Sequence, residues 1–243
     1  MNLAIDIGNS SVKYGVFMEN KLTKSGVIQG TDFSKLNEIV VTNEIVHIIY
    51  STVTEIPHEL NIILNNFSSV RVLQTDTPLP FQNKYLTPET LGKDRLANVC
   101  GALFLFPERN VLVIDVGTCL KFDIITSDGQ YLGGGISPGM RMRFKALNDQ
   151  TAQLPLISPQ LEPRLIGRNT EESILSGVMN GMIAEINDII WQYKNFFPRL
   201  ETILTGGDSN FFLNQFKSRI FAAPNLTLMG LNYIVSNLPH EKK

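Results

Sequence analysis

The sequence predicts an α/β fold made of two similar halves that face one another across a cleft. Three observations carry that reading. Strand-like and helix-like runs alternate from one end of the chain to the other. The stretch "LAIDIGNSSVKYGVF" from residue 3 and the stretch "LVIDVGTCLKFDII" from residue 112 share one order: strand, Asp-x-Gly, small polar residues, second strand. Each stretch opens half of a 243-residue chain, long enough for two cores, since domains commonly run from roughly 100 to 200 residues.

The elements follow in order. Residues 3–7, 11–18 and 21–28 read as a three-stranded meander. "FSKLNEIVV" reads as a helix, "IVHIIYS" as a buried strand, "HELNIILNNF" as a helix and "VRVLQT" as a strand. The Pro-rich loop "TPLPFQNKYLTP" precedes a helix over 94–106, which Pro107 ends because proline cannot continue the ladder. A second meander begins at residue 111 and runs through "SDGQYLGGGI", where Asp128-Gly129 supplies a hairpin turn. The longest helix is expected from Thr170 to Phe197, with Ile174, Val178, Met182, Ile186, Ile190 and Tyr193 at three- and four-residue spacing. "ETILT" is a late strand, and a helix is expected from about Asn210.

Composition excludes several classes. A net charge of −2 supplies no basic field for nucleic acid, so no nucleic-acid partner is expected. No apolar run reaches the roughly 18 residues of a membrane span, and no basic-then-apolar leader is visible. No membrane partner is expected, and the location is read as cytoplasmic. Cys100 and Cys119 are isolated among apolar neighbours and read as buried thiols of a reducing compartment. His47, His58 and His240 are too scattered to form a catalytic set.

The turns carry the chemistry. A tight turn of Gly, Asn and Ser presents successive backbone N–H groups as an anion site. Two such turns could hold the β- and γ-phosphates of a nucleotide. Asp6 and Asp115 at the strand tips would hold cations, directly or through water, and Lys13 would neutralise phosphate charge. Neither a Walker A sequence nor a dinucleotide GxGxxG after a strand is present. A third glycine turn, "LTGGDSNFF" from residue 204, suits an adenosine site, or is a strand-to-helix loop with Asp208 near the N-cap.

Five motifs stand in register: Asp6-x-Gly8-Asn9-Ser10-x-x-Lys13, Gly92-x-Asp94-Arg95, Asp115-x-Gly117-Thr118, Gly133-Gly134-x-Ile136-x-Pro138-Gly139 and Thr205-Gly206-Gly207-Asp208. Together they resemble the type III pantothenate kinase family, of the sugar kinase, actin and heat-shock ATPase superfamily. The resemblance implies duplicated actin-like (ribonuclease H-like) domains, residues 1–110 and 111–243, with a nucleotide cleft between them. It implies ATP-dependent phosphorylation of pantothenate to 4'-phosphopantothenate, the entry step to coenzyme A, with Mg²⁺ carried by ATP. Asp6, Ile7, Gly8, Asn9, Ser10, Ser11, Val12 and Lys13 match the first phosphate loop, and Thr118 an ATP contact. Tyr85, Gly92, Lys93, Asp94 and Arg95 match the pantothenate segment, with Asp94 as general base. Asp115 matches the acid that binds a monovalent cation, K⁺ or NH₄⁺. Thr170 matches a pantothenate contact supplied by the neighbouring subunit, so the resemblance implies a homodimer. One departure stands out. After Asp115-Val116-Gly117-Thr118 the family usually has small residues and Thr, whereas this chain has Cys119, Leu120 and Lys121; Asp123 is retained.

Each residue also has a plainer reading. Asp94 precedes an apolar helix, where an acid is a natural N-cap. Arg95 pairs with a substrate carboxylate or orients Asp94. Asn169 and Glu172 form a plausible capping pair that leaves Thr170 merely in the first helical turn. Gly177 and Gly181 suit a dimer contact or an intramolecular crossing. A nucleotide-sensing binding protein without turnover, and a kinase for another small alcohol, are the rival functions. The Gly-x-Asp-Arg segment favours an enzyme, because a sensor has no need of a base beside the γ-phosphate.

Overall fold

The structure, a computed structural model, describes residues 1–8, 11–30 and 32–238. Asn9 and Ser10 of the first turn, and His240, lie outside the described residues. The chain forms two compact units. Unit 1 comprises Met1–Pro107, Gly129–Tyr131 and the chain from Asn225 onward; unit 2 comprises Glu108–Asp128 and Leu132–Pro224.

Unit 1 begins with β1 (Asn2–Ile7), β2 (Val12–Met18) and β3 (Lys21–Ile28), the expected meander. Then come α1 (Ser34–Thr42), β4 (His47–Thr52), α2 (His58–Asn65), β5 (Val70–Val72), the two-residue β6 (Gln82–Asn83) and α3 (Lys93–Leu105). The sheet order is β3-β2-β1-β4-β5, with β4 parallel to β1 and to β5. Because side chains alternate across a strand, Leu3, Ile5, Ile7, Val12, Tyr14 and Val16 share one face. They pack into one core with Leu36 and Ile39 of α1 and Leu60 and Leu64 of α2. Ala4, Asp6, Lys13 and Gly15 fall on the other face.

Unit 2 repeats the plan. β7 (Val111–Val116), β8 (Cys119–Ile125) and β9 (Gln130–Pro138) are followed by α4 (Met140–Asp149), α5 (Thr170–Leu175), one π-helical turn (Ser176–Asn180), α6 (Gly181–Phe196), β10 (Glu201–Thr205) and β11 (Phe221–Ala222). Five strands lie in the order β11-β10-β7-β8-β9. Read from β9, this is the unit 1 order, with β7 in the place of β1 and β10 in the place of β4. Leu112, Ile114, Val116, Leu120, Phe122 and Ile124 face a core completed by Met140, Phe144, Ile174, Val178, Met182, Ile186 and Ile190. The first residues of β9, Gln130 and Tyr131, pair with β6 and belong to unit 1.

Two features differ from the sequence expectation. The helix expected from Asn210 is only a 3-10 turn, Ser209–Phe211; the next α-helix, α7 (Leu226–Asn237), comes after β11. That helix packs in unit 1, against α3, β1, β2 and β4, although its sequence position is in the second half. The α3–α7 crossing explains why. A Cβ on Gly230 would lie 1.8 Å from the Ala97 carbonyl oxygen, and one on Gly101 would lie 2.6 Å from that of Leu226. Thr227 donates to Asn98 Oδ1 at 2.7 Å, so the helices meet backbone to backbone and are pinned by a hydrogen bond.

Candidate active site

The first hairpin places Asp6 opposite Lys13 and Ile7 opposite Val12. Ile7 and Val12 are buried. Gly8 N–H donates to the Ser11 carbonyl at 3.1 Å and closes the turn. The Ser51 hydroxyl on β4, beside Asp6 in parallel register, donates to Asp6 Oδ1 at 2.9 Å. A strand-tip carboxylate fixed in this way can share a divalent cation with nucleotide phosphates, the usual manner of Mg²⁺ binding.

The second hairpin repeats this pairing. Asp115 stands opposite Lys121 and Val116 opposite Leu120, so residues 117–119 make the turn, closed by Gly117 N–H on the Cys119 carbonyl at 3.0 Å. Thr118 is exposed at its tip, and Cys119 is half-buried rather than buried. Lys121 Nζ lies 2.8 Å from Asp115 Oδ2, a pair that residue types alone did not reveal. The glycine motif of β9 packs on this hairpin. A Cβ on Gly139 would lie 2.2 Å from the Thr118 carbonyl oxygen, and one on Gly134 would lie 1.8 Å from that of Phe122. Gly139 is also the N-cap of α4, so the amino end of that helix abuts the Gly117-Thr118 turn. Unpaired N–H groups at a helix start favour anions. Arg143 holds the segment: it donates to the Pro138 carbonyl at 2.8 Å and Ser137 Oγ at 2.9 Å, and pairs with Glu185 of α6.

The third glycine turn closes against the same hairpin. Gly206 has φ +99°, and a Cβ there would lie 2.3 Å from the Val116 carbonyl oxygen. Asp208 N–H donates to that carbonyl at 2.9 Å. Asp208 heads the 3-10 turn without capping it by its side chain, and its carboxylate pairs with Arg141 at 3.3 Å. Arg141 carries no motif, and its partner is far away in sequence.

The predicted substrate segment is brought together within unit 1. Gly92 is the N-cap of α3 and makes no side-chain cap; Lys93 is the first helical residue. Asp94 therefore sits inside the first turn, where its Oδ1 accepts the Arg95 N–H at 2.9 Å. A Cβ on residue 92 would lie 2.5 Å from that oxygen, so the glycine makes room for the carboxylate. Arg95 is 3% exposed, and its guanidinium lies 5.4 Å from the centre of the Tyr85 ring. Tyr85 stacks on Tyr131 at 6.3 Å, and Phe81 meets Tyr131 edge-on at 5.9 Å. Tyr131 is a member of this cluster that no motif marked.

Thr170 is exposed at the start of α5. Asn169 is the N-cap and accepts the Glu172 N–H at 2.9 Å, while Glu172 reaches back to Arg168 N–H at 2.9 Å. The capping pair is as expected, and it leaves the Thr170 side chain outside the cap. A separate apolar cavity of about 340 Å³, lined in part by Ile124, Leu132, Tyr193 and Phe196, contains none of the predicted catalytic or binding residues.

Known proteins are similar to this chain along nearly its whole length. A profile of the family described as type III pantothenate kinase matches residues 2–192. A Christiangramia forsetii protein named type III pantothenate kinase is 45% identical over 237 residues, 97% of this chain and 98% of its own. A Phocaeicola vulgatus protein of the same name is 42% identical over 242 residues, again 97% and 98% of the two chains. Two solved structures bear on the fold alone. A Baf family protein from Campylobacter jejuni superposes with a TM-score of 0.63 at 23% identity, over 96% of this chain and 97% of that one. The inorganic polyphosphate/ATP-glucomannokinase of Arthrobacter sp. strain KM does so with a TM-score of 0.51 at 12% identity, over 96% and 97%. The duplicated strand order is thus that of the actin-like sugar kinase fold, and the chain belongs to the type III pantothenate kinase family.

Proposed function

We propose that this enzyme transfers the γ-phosphoryl group of ATP to the primary hydroxyl of pantothenate, with Asp94 as general base. The arrangement around Asp94 carries the reading. Its carboxylate is folded over Gly92 and fixed by the Arg95 N–H, next to the Arg95–Tyr85–Tyr131 stack. The hydroxyl proton passes to the Asp94 carboxylate as the hydroxyl oxygen forms its bond to the γ-phosphorus. The bond to the β–γ bridging oxygen breaks, and ADP leaves with that electron pair. Tyr85, Gly92, Lys93 and Arg95 hold pantothenate, a guanidinium being suited to its carboxylate.

The turn of residues 6–13 and Thr118 hold the ATP phosphates, and Lys13 faces the charge that develops on them. A divalent cation such as Mg²⁺, when bound, neutralises the phosphates, and Asp6 is the residue that would share it. At Asp115 the family resemblance puts a monovalent cation.

The enzyme acts as a homodimer in the cytoplasm, with Thr170 reaching the partner's substrate. Support comes from the surface around Thr170. Leu161, Leu165 and Ile166 are 66%, 79% and 76% exposed, and Gly177 and Gly181 border open space. Sedimentation is expected to show a dimer; a fully active monomer contradicts it.

Asn at position 94 keeps the size of Asp but cannot take a proton. Asp94→Asn is expected to lower kcat by about 10²–10⁴-fold while ATP affinity is kept. Near-normal turnover would remove Asp94 from the mechanism.

A further inference from the structure

The cation expected at Asp115 meets a side chain already there. Lys121 Nζ lies 2.8 Å from Asp115 Oδ2, and the two side chains are 15% and 12% exposed. Two glycines stand beside the other oxygen, Oδ1: a Cβ on Gly206 would lie 2.6 Å from it, and one on Gly117 3.3 Å. A potassium ion needs several oxygen ligands, and here it would bring a second positive charge against an ammonium in a site of low exposure. Like charges at that range repel strongly. The residues at Asp115 therefore do not fit an added monovalent cation. The next residue on that face of β8, Asp123, is 1% exposed and engaged in contacts of its own.

We propose that the Lys121 ammonium is the resident counter-ion of Asp115, so that turnover needs no added monovalent cation. The inference rests on the kinase reading only for its kinetic arm. An alkylammonium offers the same unit charge as K⁺ or NH₄⁺ in a compact head. Cross-strand register fixes its position, because Asp115 and Lys121 are directly opposite neighbours on one face of the antiparallel pair. A tethered charge is present at every salt concentration, and a mostly buried pair is screened little. Lys121 acts through Asp115 and is a positioning residue for the Gly117-Thr118 turn.

The test compares wild type and Lys121→Thr in KCl, NH₄Cl, NaCl and choline chloride at equal ionic strength. Pantothenate-dependent ADP release by the wild type is expected to agree across the salts within about twofold. Lys121→Thr is expected to lose about 10²-fold in kcat in NaCl and choline chloride, and to recover most of it in KCl or NH₄Cl. A merely structural ion pair gives no such ion-selective rescue. Thermal melting of the ligand-free chain in the same salts gives a readout independent of turnover. The variant should gain a K⁺-selective rise in Tm that the wild type lacks. Strong activation of the wild type by K⁺ overturns the proposal, as does a K⁺-selective rise in its Tm or a variant with full, salt-independent activity. If the variant does not fold, the wild-type rates and melting curves decide. If no salt supports phosphoryl transfer to pantothenate, the kinase reading fails, and the melting arm still decides the counter-ion.

Discussion

In unit 1, Asp6 stands opposite Lys13 across β1 and β2; in unit 2, Asp115 stands opposite Lys121 across β7 and β8. The parallel neighbour of Asp6 is Ser51, and that of Asp115 is Thr205, both hydroxyl residues. Even the closing bonds correspond. Val53 N–H donates to the Ile7 carbonyl in unit 1, and Asp208 N–H to the Val116 carbonyl in unit 2. The hairpins differ in what the lysine does. Lys121 is ion-paired with its facing aspartate; among the described residues Lys13 makes no ion pair. One duplicated frame thus holds one lysine uncommitted and one already neutralising a carboxylate. The uncommitted cation is the one proposed to meet incoming phosphate.

The sharpest way to break this contrast is to remove Lys13. Lys13→Ala is expected to lower kcat by roughly 10²–10³-fold, since a charge facing the developing phosphate, the role proposed for Lys13, contributes mainly in the transition state. Steady-state kinetics in saturating ATP checks it. A smaller effect is expected from the third glycine turn, where unit 2 has Gly206 at φ +99° and unit 1 has Thr52 in regular strand. Gly206→Ala should cost about 2–4 kcal/mol in denaturant unfolding, from left-handed strain and the clash with the Val116 carbonyl. Thr52→Ala should cost only about 1 kcal/mol, because the two bonds of its hydroxyl, to the Thr54 carbonyl and from the Thr54 N–H, are local and exposed. Ser51→Ala removes a buried donor to a carboxylate and should cost about 1.5–3 kcal/mol, read by the same unfolding curves. The smallest perturbation is chemical labelling. Burial pushes the Cys100 thiol far above its ordinary range, whereas Cys119 is half-buried in the second turn. Iodoacetamide should modify Cys119 and spare Cys100 in the folded chain, as read by peptide mass mapping.

The duplicated hairpins were legible because strand alternation and Asp-x-Gly turns are local signals. Gly92, Asp94 and Arg95 were legible as a group for the same reason: three residues at one helix start. What sequence could not supply is register and long-range packing. The opposition of Lys121 to Asp115 depends on a turn of residues 117–119, and one residue more would turn the lysine to the other face. The return of α7 to unit 1 depends on two glycines that let helices touch, which no local pattern announces. The helix expected from Asn210 failed because its apolar residues, Phe211 and Phe212, sit in a 3-10 turn and the loop after it. Tyr131, Arg141 and Ser51 join their sites from distant segments, and each looked unremarkable in its own.

The division of labour between the two lysines is tested most directly by ammonium rescue of Lys13→Ala and Lys121→Thr, side by side. Pantothenate-dependent ADP release is measured for both in choline chloride and in NH₄Cl at equal ionic strength. The ion should restore Lys121→Thr, because an Asp115 carboxylate stripped of its partner offers it a site. It should leave Lys13→Ala impaired, because there the missing charge must be held against phosphate by the protein. Equal rescue of both variants, or rescue of Lys13→Ala alone, would contradict the account.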